Sequence, residues 1–205
     1  KLGSKDPESN PRLRSAIQAA KQSNMPKDNI DRAINKSGQS INQSFSNLRY
    51  EGFGPFNVAL VIETLTDNKN RSASSIRTIL NKNGGRLGES GSTIHLFNNI
   101  GIIRLKHDQI SEDKIFDIAV NAGAKDCLKD NDLIEIITEK ENFYNVKSII
   151  EEKVKNIYSS GIEWVPKNTI NLSVEQSKKV IEILELLEEN EDVQNTFANC
   201  KLDEN

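Results

Sequence analysis

The segment most informative about the fold runs from residue 50 to residue 97 and reads YEGFGPFNVALVIETLTDNKNRSASSIRTILNKNGGRLGESGSTIHLF. After a Gly-Pro turn comes the apolar run Val58–Ile62. It is short, β-branched and bounded by turn residues, and therefore predicts a buried strand. Residues 72–83 carry apolar side chains at helical spacing and precede a glycine pair that favours the end of a helix. A second strand is predicted over residues 93–97, and residues 67–71 form a polar connector before the helix.

Two short helices are predicted ahead of this segment. Asn10 supplies a capping side chain, and Pro11 fits the first helical position, where no N–H is needed. Pro26 begins the second helix, which ends near Gly38. Residues 39–47, rich in Ser, Asn and Gln, predict a linker. Because the chain begins with Lys rather than Met, we expect preceding residues that complete a small helical bundle.

The rest of the chain predicts further strands and helices. Asn98-Asn99 predicts a hairpin turn into a third strand, residues 100–105, paired with the second. Residues 107–167 predict the order helix, strand, strand, helix, strand. Residues 168–205 predict strand, helix, strand, with a capping box at Ser173 that opens the helix. Because one helix cannot cover a three-stranded sheet, we expect this last unit to complete the earlier one.

The predicted fold class is therefore α+β. We expect an N-terminal helical domain followed by two small α/β domains of βαββ type, one inserted in the other. The predicted boundaries are residues 1–45 for the helical domain, 46–106 plus 168–205 for the discontinuous α/β domain, and 107–167 for the inserted one.

Composition limits the class of protein. A chain of 205 residues with 36% hydrophobic content favours several small domains over one thick core. No apolar run reaches the roughly 20 residues of a membrane helix, so we expect a soluble protein with no membrane partner. Two cysteines without CxxC spacing indicate a reducing compartment. We expect the cytoplasm, or the mitochondrial matrix if a transit peptide precedes the chain.

Charge is distributed unevenly along the chain. Residues 1–106 carry 16 basic and 8 acidic groups, whereas residues 107–205 carry 11 and 22. Lys and Arg contact phosphates regardless of base sequence, so the basic half predicts a nucleic-acid-facing surface, with a merely solvated surface as the alternative. The candidate nucleic-acid-binding residues are Lys69, Arg71, Arg77, Lys82, Arg86, Arg12, Arg14, Lys21, Lys27 and Arg32.

Residues for catalysis or metal binding are few. The two histidines, His95 and His107, have no metal-ligand or His–carboxylate spacing, and Cys127 and Cys200 have no histidine nearby in sequence. We therefore expect no catalytic residue, no metal, no cofactor and no small-molecule substrate.

The glycine-rich segment 84–91 invites comparison with a phosphate-binding loop. A P-loop is followed by a helix, whereas here the predicted helix precedes the glycines, which is the wrong order. Two interpretations remain. The segment is either a tight loop that presents backbone N–H groups and Arg86 to an RNA phosphate, or a plain turn from helix to strand.

Several segments together resemble the YebC family, which includes bacterial proteins and the mitochondrial translational activator of cytochrome c oxidase. The resemblance spans essentially the whole chain and is most specific at TDNKNR and NGGRLGESGS. The segments that carry it are Tyr50–Pro55, Leu65–Arg71, Asn83–Ser92, Ser23–Ile30 and Glu191–Asn195.

The resemblance implies three domains, one α/β domain being inserted in the other, and a basic N-terminal segment ahead of this chain. Phe56-Asn57 departs from the family pattern, which has a glycine pair there, and His95 replaces an aromatic residue. Family members are described as DNA-binding transcriptional regulators, while others act in translation on ribosomes stalled at proline-rich stretches. We expect a monomeric, non-enzymatic translation factor that contacts ribosomal RNA. The alternative is a DNA-binding transcriptional regulator.

Overall fold

The structure is a computed structural model that describes residues 4–22, 25–36, 45–106, 111–130, 132–154 and 157–202. Within them the α-helices are Pro11–Gln22 (α1), Lys27–Lys36 (α2), Lys69–Lys82 (α3), Glu112–Ala122 (α4), Phe143–Lys153 (α5) and Val174–Glu188 (α6). The strands are Ser46–Phe53 (β1), Ala59–Thr66 (β2), Arg86–Leu87 (β3), Phe97–Lys106 (β4), Asp126–Asp130 (β5), Leu133–Glu139 (β6), Ile157–Pro166 (β7), Ile170–Asn171 (β8), Val193–Ala198 (β9) and Cys200–Lys201 (β10).

The chain divides into two compact units, each built from two separate segments. The first unit holds residues 1–42 and 99–163, and the second holds residues 43–98 and 164–205. The predicted α+β fold class is confirmed, because both units combine helices with a largely antiparallel sheet.

The second unit is a four-stranded sheet in the order β3–β1–β2–β9, with β8 and β10 forming a short parallel pair. Helices α3 and α6 cover one face, where the apolar run of β2 (Leu60, Ile62) packs against Leu80 and Ile183. Each of these side chains is almost completely buried. The predicted completion of the early sheet by the C-terminal strand is therefore seen in β9, which pairs with β2.

The first unit contains a sheet in the order β5–β6–β4–β7, covered by α4 and α5. Its core brings together Ile103, Ile115, Ile136 and Ile150, all essentially inaccessible to solvent. Helices α1 and α2 belong to this unit, and a hydrogen bond of 2.9 Å from the buried Lys147 ammonium to a serine hydroxyl on α1 ties α1 to α5.

Elements with strong apolar periodicity lie close to where the sequence predicted them. This holds for α4, α6, β2, β5 and β6. The helix predicted over residues 143–157 is shorter, because α5 ends at Lys153 and the strand predicted from Ile162 already begins at Ile157. The predicted capping box is present, since Ser173 Oγ accepts from the Gln176 N–H at 3.3 Å and Gln176 Oε1 accepts from the Ser173 N–H at 3.0 Å.

Three local predictions were wrong. Strand β1 was missed, because residues 46–47 were assigned to the linker, residues 48–51 were assigned to no element and Gly52 was assigned to the Gly-Pro turn. Residues 93–97 are mostly a 3₁₀ helix over Ile94–Leu96 rather than a strand. Asn98-Asn99 lies within β4 and makes no hairpin turn, and β4 pairs with β6 instead of with a preceding strand. Most of the predicted linker, residues 39–44, lies outside the described residues.

The two units bear on the predicted boundaries and on the charge argument. The chain passes between units at residues 98–99 and 163–164, whereas the predicted boundaries fall at residues 106–107 and 167–168. The three-domain division stays a prediction.

The charge contrast between the two halves of the sequence does not carry over to the two units. By sequence, the first unit contains 17 basic and 17 acidic residues, and the second contains 10 basic and 13 acidic residues.

Candidate nucleic-acid interface

Helix α3 is the most basic element of the second unit. Its sequence KNRSASSIRTILNK contains four basic residues and no acidic one. The predicted polar connector is in fact its cap and first turn, because the Asn68 side chain accepts a hydrogen bond of 3.1 Å from the Arg71 N–H. Ile76 and Leu80 face the core, and the side chains of Arg77 and Lys82 lie on the exposed part of the helix.

Arg71 is engaged in an ion-pair network with two aspartates. Its guanidinium donates to both Asp192 oxygens, at 2.7 and 3.2 Å, and to Asp67 Oδ1 at 2.9 Å. The buried Ser72 hydroxyl donates to the same Asp192 carboxylate at 2.7 Å. Burial opposes ionisation of Asp192, but the hydrogen bonds from Arg71 and Ser72 outweigh it and lower its pKa. Arg71 therefore fastens α3 to the segment before β9.

Glu51 organises the glycine-rich loop that follows α3. The carboxylate is 3% exposed and accepts hydrogen bonds from the N–H groups of Gly91 at 2.9 Å and of Thr93 and Ile94 at 2.8 Å each. The Gly88 N–H donates to the Glu51 carbonyl at 2.8 Å. Burial opposes ionisation, yet the three backbone donors dominate and lower the pKa of Glu51. The loop is thus held on the end of β1.

Two glycines in this loop are required by geometry. Gly84 has φ +77°, a left-handed conformation that ends α3 and that glycine adopts without steric cost. A Cβ at Gly85 would stand 2.5 Å from the Phe53 carbonyl oxygen and 3.2 Å from the Gly54 Cα, so only glycine fits there. A side chain at residue 84 would reach within 3.9 Å of Pro55, which places this loop directly beside the Gly-Pro turn.

Arg86 and the Gly-Pro turn form the outer end of this region. The Arg86 guanidinium lies 4.4 Å from the centroid of the Phe53 ring, a cation–π contact that leaves its donors available to solvent. Next to it, Phe56 and Asn57 both have positive φ, +60° and +59°. For a bulky aromatic residue this backbone conformation costs about 1–3 kcal/mol. Phe56 is nevertheless 40% exposed and belongs to none of the hydrophobic clusters.

The predicted basic residues fall into two sets. Lys69, Arg77, Lys82 and Arg86 are exposed around α3 in the second unit, where Arg71 is occupied by its aspartates. The other five lie in the first unit, where Arg14 donates to the carbonyl groups of residues 7 and 8. The remaining exposed members of that set are Arg12, Lys21, Lys27 and Arg32. Their roles in binding stay predictions.

The residues considered for catalysis and metal binding are dispersed. His95 is exposed, with Nδ1 3.3 Å from the Gly91 carbonyl oxygen, while His107 lies outside the described residues. Burial raises the pKa of both cysteine thiols, Cys127 and Cys200, so neither is activated as a thiolate. In the described part of the chain, no group of three or more His, Cys, Asp or Glu side chains could hold a metal ion.

Sequence reasoning missed the residues that join the motifs. No sequence pattern singled out Glu51, and the acidic run Glu188–Asp192 predicted a solvated helix end. Asp192 is instead buried, and each of these two carboxylates binds another of the family segments. The Tyr50 hydroxyl likewise donates to the Lys69 carbonyl at 3.0 Å. The only sequence signal was their charge or polarity beside buried strands, which a solvated side chain also produces.

Comparison with known proteins assigns the chain to a family. A family model described as the TACO1/YebC second and third domain matches residues 45–200, and one described as the TACO1/YebC protein N-terminal domain matches residues 1–40. The chain belongs to the TACO1/YebC family. The resemblance inferred from its motifs is confirmed.

Relatives and a solved structure agree with this assignment. The chain is 48% identical over its full length to a probable transcriptional regulatory protein of Pelagibacter ubique, covering 85% of that protein. It is 43% identical to another protein of that name from Zymomonas mobilis, of which it covers 82%. The crystal structure of a conserved hypothetical protein from Aquifex aeolicus has a similar fold, with a TM-score of 0.82 and 39% identity. The match covers the whole of this chain and 85% of the Aquifex chain. No helix within the described residues could cross a membrane.

Proposed function

We propose that this TACO1/YebC-family protein is a non-enzymatic translation factor that acts on the ribosome and relieves stalling at proline-rich stretches. It acts as a monomer in the cytoplasm and contacts RNA phosphates through its exposed basic side chains. The observation that carries the proposal is the outer face of α3, a helix without a single acidic residue that presents Arg77 and Lys82 to solvent.

The geometry supports binding by phosphate contacts rather than by base sequence. Lys69, Arg77 and Lys82 occur in no ion pair within the described residues, so their charges are available to an external anion. The helix that carries them is fastened at its start by Asp192 and at its end by the loop held on Glu51. A rigid helix loses little conformational entropy when it binds, which favours recognition of a shaped RNA surface.

A second candidate function is DNA-binding transcriptional regulation, and the names of the relatives favour it. Both candidates predict phosphate contacts. They differ in that a transcriptional regulator must prefer particular base pairs in a duplex, whereas a ribosome-bound factor needs only shape and backbone.

The test is co-sedimentation with ribosomes, with a promoter-length DNA duplex as the competitor. The wild-type protein is compared with the triple variant Lys69→Ala, Arg77→Ala, Lys82→Ala. The matched control, Lys178→Ala, Lys179→Ala, Lys201→Ala, removes the same charge from exposed positions of the same unit. Arg71 is left intact, because its removal would disturb the contact with Asp192.

We expect ribosome association that survives excess duplex and is weakened in the α3 variant alone. The slope of log K against log salt concentration for RNA binding should flatten by about 0.7–0.9 for each phosphate that the variant no longer neutralises. Displacement by duplex, with a sequence preference, would favour the transcriptional candidate. Equal binding by wild type and the α3 variant would remove α3 from the interface.

A further inference from the structure

Phe56 occupies a position where neither the backbone nor the core explains an aromatic residue. Its φ of +60° and ψ of 22° are left-handed, and the following residue, Asn57, is left-handed as well. Glycine would adopt both conformations without strain, whereas a bulky side chain is disfavoured. Asparagine tolerates this region, so the unexplained residue is the phenylalanine.

The turn that carries Phe56 is tightly closed. The Gly54 N–H donates to the Val58 carbonyl at 2.8 Å, and the Val58 N–H donates back to the Pro55 carbonyl at 3.2 Å. These two bonds join both ends of the turn to each other, and Gly54 and Val58 are buried. The ring of Phe56 is therefore displayed on a rigid base while remaining 40% exposed.

A basic loop lies beside the turn that carries Phe56. The turn abuts the Gly84–Arg86 loop, as shown by the close approach of Gly85 to the Phe53 carbonyl and to Gly54. Arg86 is exposed above the Phe53 ring. Exposed Lys82 ends the helix that leads into the same loop. An exposed aromatic side chain and two exposed basic side chains thus lie on adjoining segments of the second unit.

We propose that Phe56 is a stacking platform for an unpaired base of single-stranded RNA, with Arg86 binding an adjacent phosphate. An aromatic face beside a cation is the arrangement with which proteins hold single-stranded nucleic acid, because every base offers a π-face. The inference rests on the proposed function and adds an aromatic contact to the phosphate contacts proposed there. Duplex RNA, whose bases are already stacked, gains nothing from Phe56.

The test is fluorescence anisotropy with a short labelled single-stranded oligoribonucleotide and with the same sequence as a duplex. Phe56→Gly removes the ring and relieves the backbone strain, and Phe56→Leu keeps apolar bulk and strain but has no aromatic face. Phe56→Trp keeps an aromatic face. Phe116→Ser is the matched control, because Phe116 is a similarly exposed phenylalanine, 52%, in the other unit.

We expect the single-strand Kd to rise about five- to tenfold in the Gly and Leu variants, with the Trp variant and the Phe116→Ser control near wild type. Duplex binding and the salt slope should be unchanged. The fluorescence of a 2-aminopurine base in the single strand should change on binding to wild type and change less on binding to Phe56→Gly.

Single-strand binding by the Gly and Leu variants equal to that of wild type would overturn the assignment of Phe56 while leaving the proposed function intact. If wild type binds neither ribosomes nor single-stranded RNA, the proposed function fails and the stacking role fails with it. Because Phe56→Gly is expected to fold at least as stably as wild type, loss of binding in that variant cannot be ascribed to unfolding.

Discussion

Replacement of Glu51 by glutamine tests whether one carboxylate holds the glycine-rich loop. The three N–H donors approach two different oxygens, Gly91 at Oε1 and Thr93 and Ile94 at Oε2. Glutamine has a single oxygen, so one orientation satisfies two donors and leaves an amide group facing the third. No rotation of the side chain can satisfy all three.

The expected loss of stability follows from these contacts. The part-buried Gly91 N–H left without an acceptor costs about 1–3 kcal/mol, and two charge-assisted bonds that become neutral lose about 1 kcal/mol each. Because a neutral amide is easier to bury than a carboxylate, we expect the lower end of the resulting range, about 3 kcal/mol. For a chain of this size that lowers Tm by about 6–12 °C.

Urea unfolding and amide hydrogen exchange measure the effect of Glu51→Gln. Faster exchange is expected at residues 91–94, which the carboxylate holds. The control is Glu63→Gln on the neighbouring strand, whose carboxylate accepts from Trp164 Nε1 and, at an exposed site, from Asn195 Nδ2. The glutamine oxygen can keep the bond from Trp164 while water replaces the bond from Asn195, so the loss should be less than about 1 kcal/mol. A loss below about 1 kcal/mol in Glu51→Gln, or wild-type exchange at the loop, would show that the carboxylate does not hold the loop.

The same carboxylate predicts a pH dependence. The pKa of Glu51 is lowered in the folded state, so its contribution is fully present above the unfolded value of about 4.3 and is lost as pH falls through the folded pKa. The difference in stability between wild type and Glu51→Gln should therefore be constant near neutrality and narrow in acid. A difference that widens on acidification would contradict the assignment.

Three further substitutions test other contacts by urea unfolding. Gly85→Ala should lose about 1–3 kcal/mol, because its Cβ would meet the Phe53 carbonyl at 2.5 Å, and wild-type stability would show that the loop can shift. Asp192→Asn should lower the free energy of unfolding by about 2 kcal/mol at neutral pH, because it weakens the hydrogen bonds from Ser72 and Arg71. Its difference in stability from wild type should shrink below about pH 4, where the carboxylate of the wild type begins to be protonated. Arg104→Ala should lose about 2–4 kcal/mol, because two half-buried glutamates lose their shared cation, and a lysine at that position should recover part of the loss.

The sequence allowed correct prediction of elements whose burial is evident from apolar periodicity. The run of β2 and the stripes of α4 and α6 are examples, since each buries a continuous hydrophobic face. Strand β1 was missed because its inward-facing residue near the loop is Glu51, whose burial depends on backbone donors some 40 residues later. No local pattern carries that information.

Turn residues misled the prediction for a related reason. Asn98 and Asn99 favour turns as isolated residues, but in the structure they lie in β4, whose following residues pair with β6. Pairing with a strand more than 30 residues away outweighed the local preference. The charge contrast between the two halves of the sequence is likewise absent from the folded units, because contiguous halves of the sequence are not the units that fold.

The contacts between the motifs distinguish residues that stabilise the fold from residues that remain available for binding. Tyr50 binds the start of α3, Glu51 binds the glycine-rich loop, and Asp192 binds Arg71, so segments that identify the family are largely occupied with one another. A residue engaged in this way cannot give up its bonds to a ligand without loosening the unit. Under the proposed function, recognition falls to the basic side chains that these contacts leave exposed, namely Lys69, Arg77 and Lys82 on α3. We therefore expect substitution of Arg71 to lower stability and substitution of Arg77 to weaken binding.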